Sequence, residues 1–77
     1  MNMNQRMVVA DNFRQLTARE LEVLRHVVMG KSNPQIADAM ALSAHTIKAH
    51  VCSILHKMSV EDRVQAAVKA VRSGIVD

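Results

Sequence analysis

The stretch NPQIADAMALSAHTIKAHVCSILHKM, residues 33–58, carries the signals of two consecutive helices. Asn33 is a favourable helix cap, and Pro34 suits a first helical position, where the N–H that proline lacks would have no intrahelical partner anyway. Ile36, Ala37 and Met40 then give a short apolar stripe, so a helix of about two turns is predicted from Pro34 to Met40. Ala41-Leu42-Ser43 is too short for a flexible connection, and Ser43 can cap a longer helix over residues 44–58. Two helices separated by about three residues form a helix-turn-helix.

Upstream, Leu16-Thr17-Ala18-Arg19-Glu20-Leu21 reads as a helix start. Thr17 can accept from the first free backbone N–H groups, Glu20 can reach back to the cap, and Leu16 can close over Leu21 across the first turn. Leu21, Leu24, Val27 and Val28 recur at helical spacing and Gly30 supplies a left-handed stop, so a first helix is predicted over residues 18–29. Downstream, Glu61 and Asp62 suit the positive end of a last helix that stops before Gly74. Its Val64, Ala67, Val68, Val71 and Ile75 form an apolar stripe expected to face the core, with Ala66, Ala70 and Ser73 on the opposite side. Residues 1–15 show no sustained period and are expected to form a flexible tail or linker remnant, in which a short strand over Met7 to Ala10 would lack a partner.

Composition points the same way. Sheet folds of this size need many tight turns, yet the 77 residues include only 2 Gly and 1 Pro, so the expected class is all-α, a four-helix domain over residues 16–77 that contains the helix-turn-helix. A single Cys cannot form an internal disulfide, no apolar run approaches the roughly 18 residues of a membrane span, and Met1 to Val9 lacks the apolar centre of a signal peptide. A cytoplasmic protein with no membrane partner is expected. The net charge of +3 is modest, but its distribution is uneven: no acidic residue lies between Asp38 and Glu61, a stretch that carries Lys48, Lys57, His45, His50 and His56.

On a helical wheel Ile47, Val51, Ile54, Leu55 and Met58 share the arc expected to face the core. Opposite stand His45, Ala49, Cys52, Ser53 and His56, small or hydrogen-bonding residues that bring no acid; Lys48 flanks them on one side, and Thr46, His50 and Lys57 on the other. A helix lying in a DNA major groove needs this layout, with slender residues towards base edges and cations towards the phosphate walls.

The same face could belong to a solvated bundle helix or to a helical protein-protein interaction module that never meets DNA. Thr46 could equally bond a carbonyl of its own helix. Cys52 and His56, four residues apart, could share a metal ion, but His45 lies about 10 Å from Cys52 along the axis, so no metal or other cofactor is expected. No acid-base pair or phosphate loop suggests an enzyme. A single-strand stacking platform would need aromatic residues, and there is 1 Phe and no Tyr or Trp.

Five motifs in order, Leu16-Thr17-x-Arg19-Glu20, Gly30-x-Ser32-Asn33-x-x-Ile36-Ala37, Leu42-Ser43-x-x-Thr46-Ile47-Lys48-x-His50, Leu55-x-Lys57-Met58 and Arg63-x-x-Ala66, resemble the DNA-binding domain of the LuxR/FixJ/NarL family of bacterial transcription regulators. The resemblance implies a helix 44–58 that enters the major groove, with Lys48, Ala49 and Cys52 facing bases and Thr46, His50 and Lys57 anchoring the DNA backbone. It implies double-stranded DNA as partner, a homodimer on a two-fold site, and attachment through a linker to the receiver of a two-component response regulator, with RNA polymerase as a further candidate partner. It also implies an ion pair between Glu20 and Arg63, and a dimer interface on the last helix, to which Ala66, Ala70 and Ser73 are assigned. Ala49 and Cys52 are smaller than the readers of some relatives, so the operator does not carry over. Pro34 replaces a commoner polar residue, and Met58 stands for the usual Leu. On this assignment, Ala70→Glu abolishes cooperative occupancy of two half-sites and leaves the fold intact.

Overall fold

A computed structural model describes residues 15–76. The expected tail, and the short strand considered within it, fall outside the described residues except for Gln15. Four helices follow in order: α1 Ala18–Val28, α2 Asn33–Met40, α3 Ala44–Met58 and α4 Arg63–Ser73, and no strand occurs among the described residues. None of these helices is long and apolar enough to cross a membrane.

Each start is fixed by a side chain that satisfies a free backbone N–H. At α1 the Thr17 hydroxyl accepts from the Glu20 N–H at 3.0 Å while the Glu20 carboxylate accepts from the Thr17 N–H at 2.9 Å. At α2 the cap is Ser32, not Asn33. The Ser32 hydroxyl accepts from the Gln35 N–H and the Gln35 side chain accepts from the Ser32 N–H, so Asn33 opens the helix and Pro34 is its second residue, where a missing N–H is still harmless. Asn33 is thereby released to serve α4, and its side-chain oxygen accepts from Arg63 at 2.7 Å. Ser43 caps α3, accepting from the Thr46 N–H at 3.0 Å, and Asp62 caps α4, accepting from the Gln65 N–H at 2.9 Å. The turn between α2 and α3 is tight because Ala41 takes a left-handed conformation, φ 57°, and lets the Leu42 N–H bond back to the Ala37 carbonyl at 2.9 Å.

The core gathers Val23 and Leu24 of α1, Ile36 of α2, and Ile47, Ile54 and Met58 of α3, all fully enclosed. Burying each of the larger side chains stabilises the fold by roughly 1.5–3 kcal/mol before the entropy cost of ordering the chain. Helix α3 packs against each of the other three helices. Its apolar arc is inward as expected, although Leu55 is only half-buried.

The last helix is rolled away from the sequence expectation: of the expected stripe, Ala67 and Ile75 pack half-buried against the core, but the three valines do not. Ala66 and Ala70 are 1% and 0% exposed, whereas Val64, Val68 and Val71 are 68%, 43% and 54% exposed. Two cationic side chains on the Ala66 side explain the roll. The Arg63 guanidinium donates to the Lys31 carbonyl at 2.9 Å as well as to Asn33, and Lys69 Nζ donates to the Met58 carbonyl at 2.7 Å. These bonds satisfy carbonyls at two turns and fix the face between them inward, where α4 packs against α1 and α3 through the methyl groups of Ala66 and Ala70. Ala66 and Ala70 therefore belong to the core and are not available to a second copy; Ser73 is exposed.

Ala70→Glu therefore unfolds the domain instead of sparing it, because an unpaired carboxylate would be buried at a cost of about 3 kcal/mol or more. Val68→Ser should change stability by less than about 0.5 kcal/mol. Urea denaturation of the two variants checks the roll of α4; the opposite ranking would contradict it.

Candidate nucleic-acid interface

The outward face of α3 follows from what holds its two sides. Its core side is apolar; one edge is held by Glu20, the single buried charged residue among the described ones, at 5% exposure. Ser53 Oγ donates to Glu20 Oε2 at 2.7 Å, Lys57 Nζ donates to Glu20 Oε1 at 2.7 Å, and the Thr17 N–H donates to the same Oε1. The capping residue of α1 is thus also the clamp on the C-terminal half of α3. Burial pushes the Glu20 carboxyl pKa up, but the hydrogen bonds from Lys57, Ser53 and Thr17 and the Lys57 charge outweigh it, lowering the value from 4.5 to about 2. The ion pair with Arg63 implied by the family resemblance does not form; the Arg63 guanidinium is engaged by Asn33 and Lys31.

His45, Lys48, Ala49, Cys52 and His56 are exposed along one stripe of α3. Thr46, His50, Ser53 and Lys57 are half-buried at its rim. Ser53 and Lys57 are turned to Glu20 and do not extend over the open face. Thr46 is bonded to the cap, not to a carbonyl of its own helix: Ser43 Oγ donates to Thr46 Oγ1 at 2.9 Å, which leaves the Thr46 hydroxyl hydrogen to donate elsewhere. No acidic side chain lies on α3, so Lys48 is the cation projecting from the open stripe. Cys52 is a free, exposed thiol, and no three His, Cys, Asp or Glu side chains among the described residues are grouped to hold a metal ion.

Sequence reasoning missed the clamp. The local half of its signal is the spacing of Ser53 and Lys57, four residues apart on one edge of α3; their partner Glu20 lies 33 and 37 residues away, where no local pattern points to it.

Residues 14–70 match the family described as "Bacterial regulatory proteins, luxR family". The chain is 47% identical over 62 residues to the uncharacterized transcriptional regulatory protein YhcZ of Bacillus subtilis, an alignment covering 80% of this chain and 29% of that protein. It is 48% identical over 61 residues to the transcriptional regulatory protein DegU of Brevibacillus brevis, covering 79% of this chain and 26% of that one. It is 39% identical over 67 residues to the response regulator protein VraR of Staphylococcus aureus, covering 87% and 32%. The chain thus spans under a third of the length of each of these relatives.

The Glu20 clamp makes stability depend on pH in a defined window. A carboxyl lowered from 4.5 to about 2 on folding contributes stability that is complete above pH 4.5 and disappears as pH falls towards 2. At 1.36 kcal/mol per pKa unit the loss is roughly 3 kcal/mol. Urea denaturation across that range should show the drop in the native protein and a smaller drop in Glu20→Gln, whose side chain still completes the cap. Equal pH dependence in both would contradict the clamp.

Proposed function

The chain belongs to the luxR family of bacterial regulatory proteins, and from that premise we propose that residues 16–77 are a sequence-specific, double-stranded DNA-binding domain for transcription control, with α3 entering the major groove. The observation that carries the reading is the open stripe of α3: slender side chains at Ala49 and Cys52, Lys48 beside them, and no acid to repel phosphate. In this reading Lys48, Ala49 and Cys52 approach base edges, with His45 and His56 at the two ends of the stripe. Thr46 and His50 contact the phosphate backbone. Lys57 reaches a phosphate only by leaving Glu20. The family is one of regulators and not of enzymes.

The names of the relatives, transcriptional regulators and a response regulator, support an output domain of a two-component response regulator. Such a domain acts in the cytoplasm, where the chromosome is, and RNA polymerase is the proposed further partner. We place the dimer contact on the exposed Val64, Val68 and Val71 of α4, in the helix that the family resemblance implies but on its other face. A two-fold pair reads half-sites centred about 10 bp apart. The same apolar face is what would favour the alternative, a protein-docking module indifferent to DNA.

Titration with a random duplex at low and moderate salt separates the two readings: a DNA binder weakens steeply as salt rises, and a docking module is not retained at either. Lys48→Ala should weaken binding by roughly 1–3 kcal/mol with an unchanged circular dichroism spectrum. Undiminished affinity in a mobility-shift titration would remove Lys48 from the interface.

A further inference from the structure

The exposed residues of α3 recur at intervals of three and four positions, so they line one stripe, and its middle is occupied by its smallest and least polar members, Ala49 and Cys52, with Lys48 alongside. Ala49 ends in a methyl group and neither donates nor accepts. Cys52 is a free thiol that behaves as a small hydrophobe with a weak S–H donor. Three residues apart, they are separated by about 4.5 Å along the helix axis, close to the roughly 3.4 Å rise between base pairs, so the two side chains address neighbouring pairs.

Every base edge in the major groove presents donors or acceptors, and thymine adds one apolar group, its C5-methyl. An amino group or carbonyl covered by Ala49 would lose water without a new partner, which is unfavourable, whereas a methyl in the same place loses nothing and gains burial. We infer that Ala49 and Cys52 read thymine methyl groups on adjacent base pairs of the half-site, beside the pair met by Lys48. Specificity at that step is carried by apolar contact, and hydrogen bonding is left to Lys48. The inference rests on the proposed entry of α3 into the major groove.

The test uses the whole 77-residue chain. Duplexes retained from a random pool are resynthesised with deoxyuridine for thymidine, which deletes the methyl and keeps the hydrogen-bonding edge, and both forms are titrated in parallel at one salt concentration. A buried methyl-sized group is worth roughly 0.8 kcal/mol, so binding should weaken about fourfold for each methyl read. Ala49→Ser and Cys52→Ser, both at exposed positions and so expected to stay folded, should each lose part of that thymine-to-uracil ratio. Equal affinity for the two duplexes overturns the inference and leaves the proposed DNA binding standing. A full ratio retained in both variants also overturns it, because the methyls are then sensed elsewhere or through duplex shape. Failure to retain any duplex even at low salt overturns both the inference and the DNA-binding reading beneath it.

Discussion

A buried carboxylate sets the roll of α3, the helix to which the proposed function is assigned. Glu20 lies at the inward side of the first turn of α1, 5% exposed, and is held by a backbone N–H, a hydroxyl and an ammonium. An isolated carboxylate in that position would be prohibitively unfavourable. Because two of its three donors, Ser53 and Lys57, come from one edge of α3, rotating α3 about its axis would strand the charge. The apolar side, with Ile47, Val51, Ile54 and Met58, opposes the same rotation. Between an apolar face and an ionic edge, His45, Lys48, Ala49 and Cys52 are left pointing to solvent.

Cations elsewhere in the domain follow the same logic of allocation. Arg63 fastens the start of α4 to the turn between α1 and α2, and Lys69 caps the end of α3 at the Met58 carbonyl. The net charge of +3 therefore says little about the interface. What matters is which positive groups are engaged inside the fold and which, like Lys48, project from the open stripe of α3.

The helix-turn-helix was legible because its signals are local. Caps, apolar spacing and the short Ala41-Leu42-Ser43 connection are fixed by residues within one or two turns, and the core side of α3 repeats strongly enough to be read on a wheel. Three features were not. The cap of α2 was one residue off because Ser32 and Asn33 are both good caps, and only the pairing with Gln35 and the demand of Arg63 for an acceptor distinguish them. The roll of α4 differed for its three valines because a valine stripe resembles a core stripe. A close helix-helix contact favours alanine, and the anchoring partners of Arg63 and Lys69 lie outside α4 itself. The partners of Glu20 are likewise 33 and 37 residues away, beyond any local pattern.

Cys52, the only cysteine in the chain, stands on the open stripe and reports on it directly. The rate of thiol alkylation, measured with and without saturating duplex, is the most direct check on the claim that this stripe seats DNA. Rapid modification of the free domain and strong protection in the complex are the predicted result. Undiminished alkylation under conditions where the duplex is demonstrably bound would contradict it.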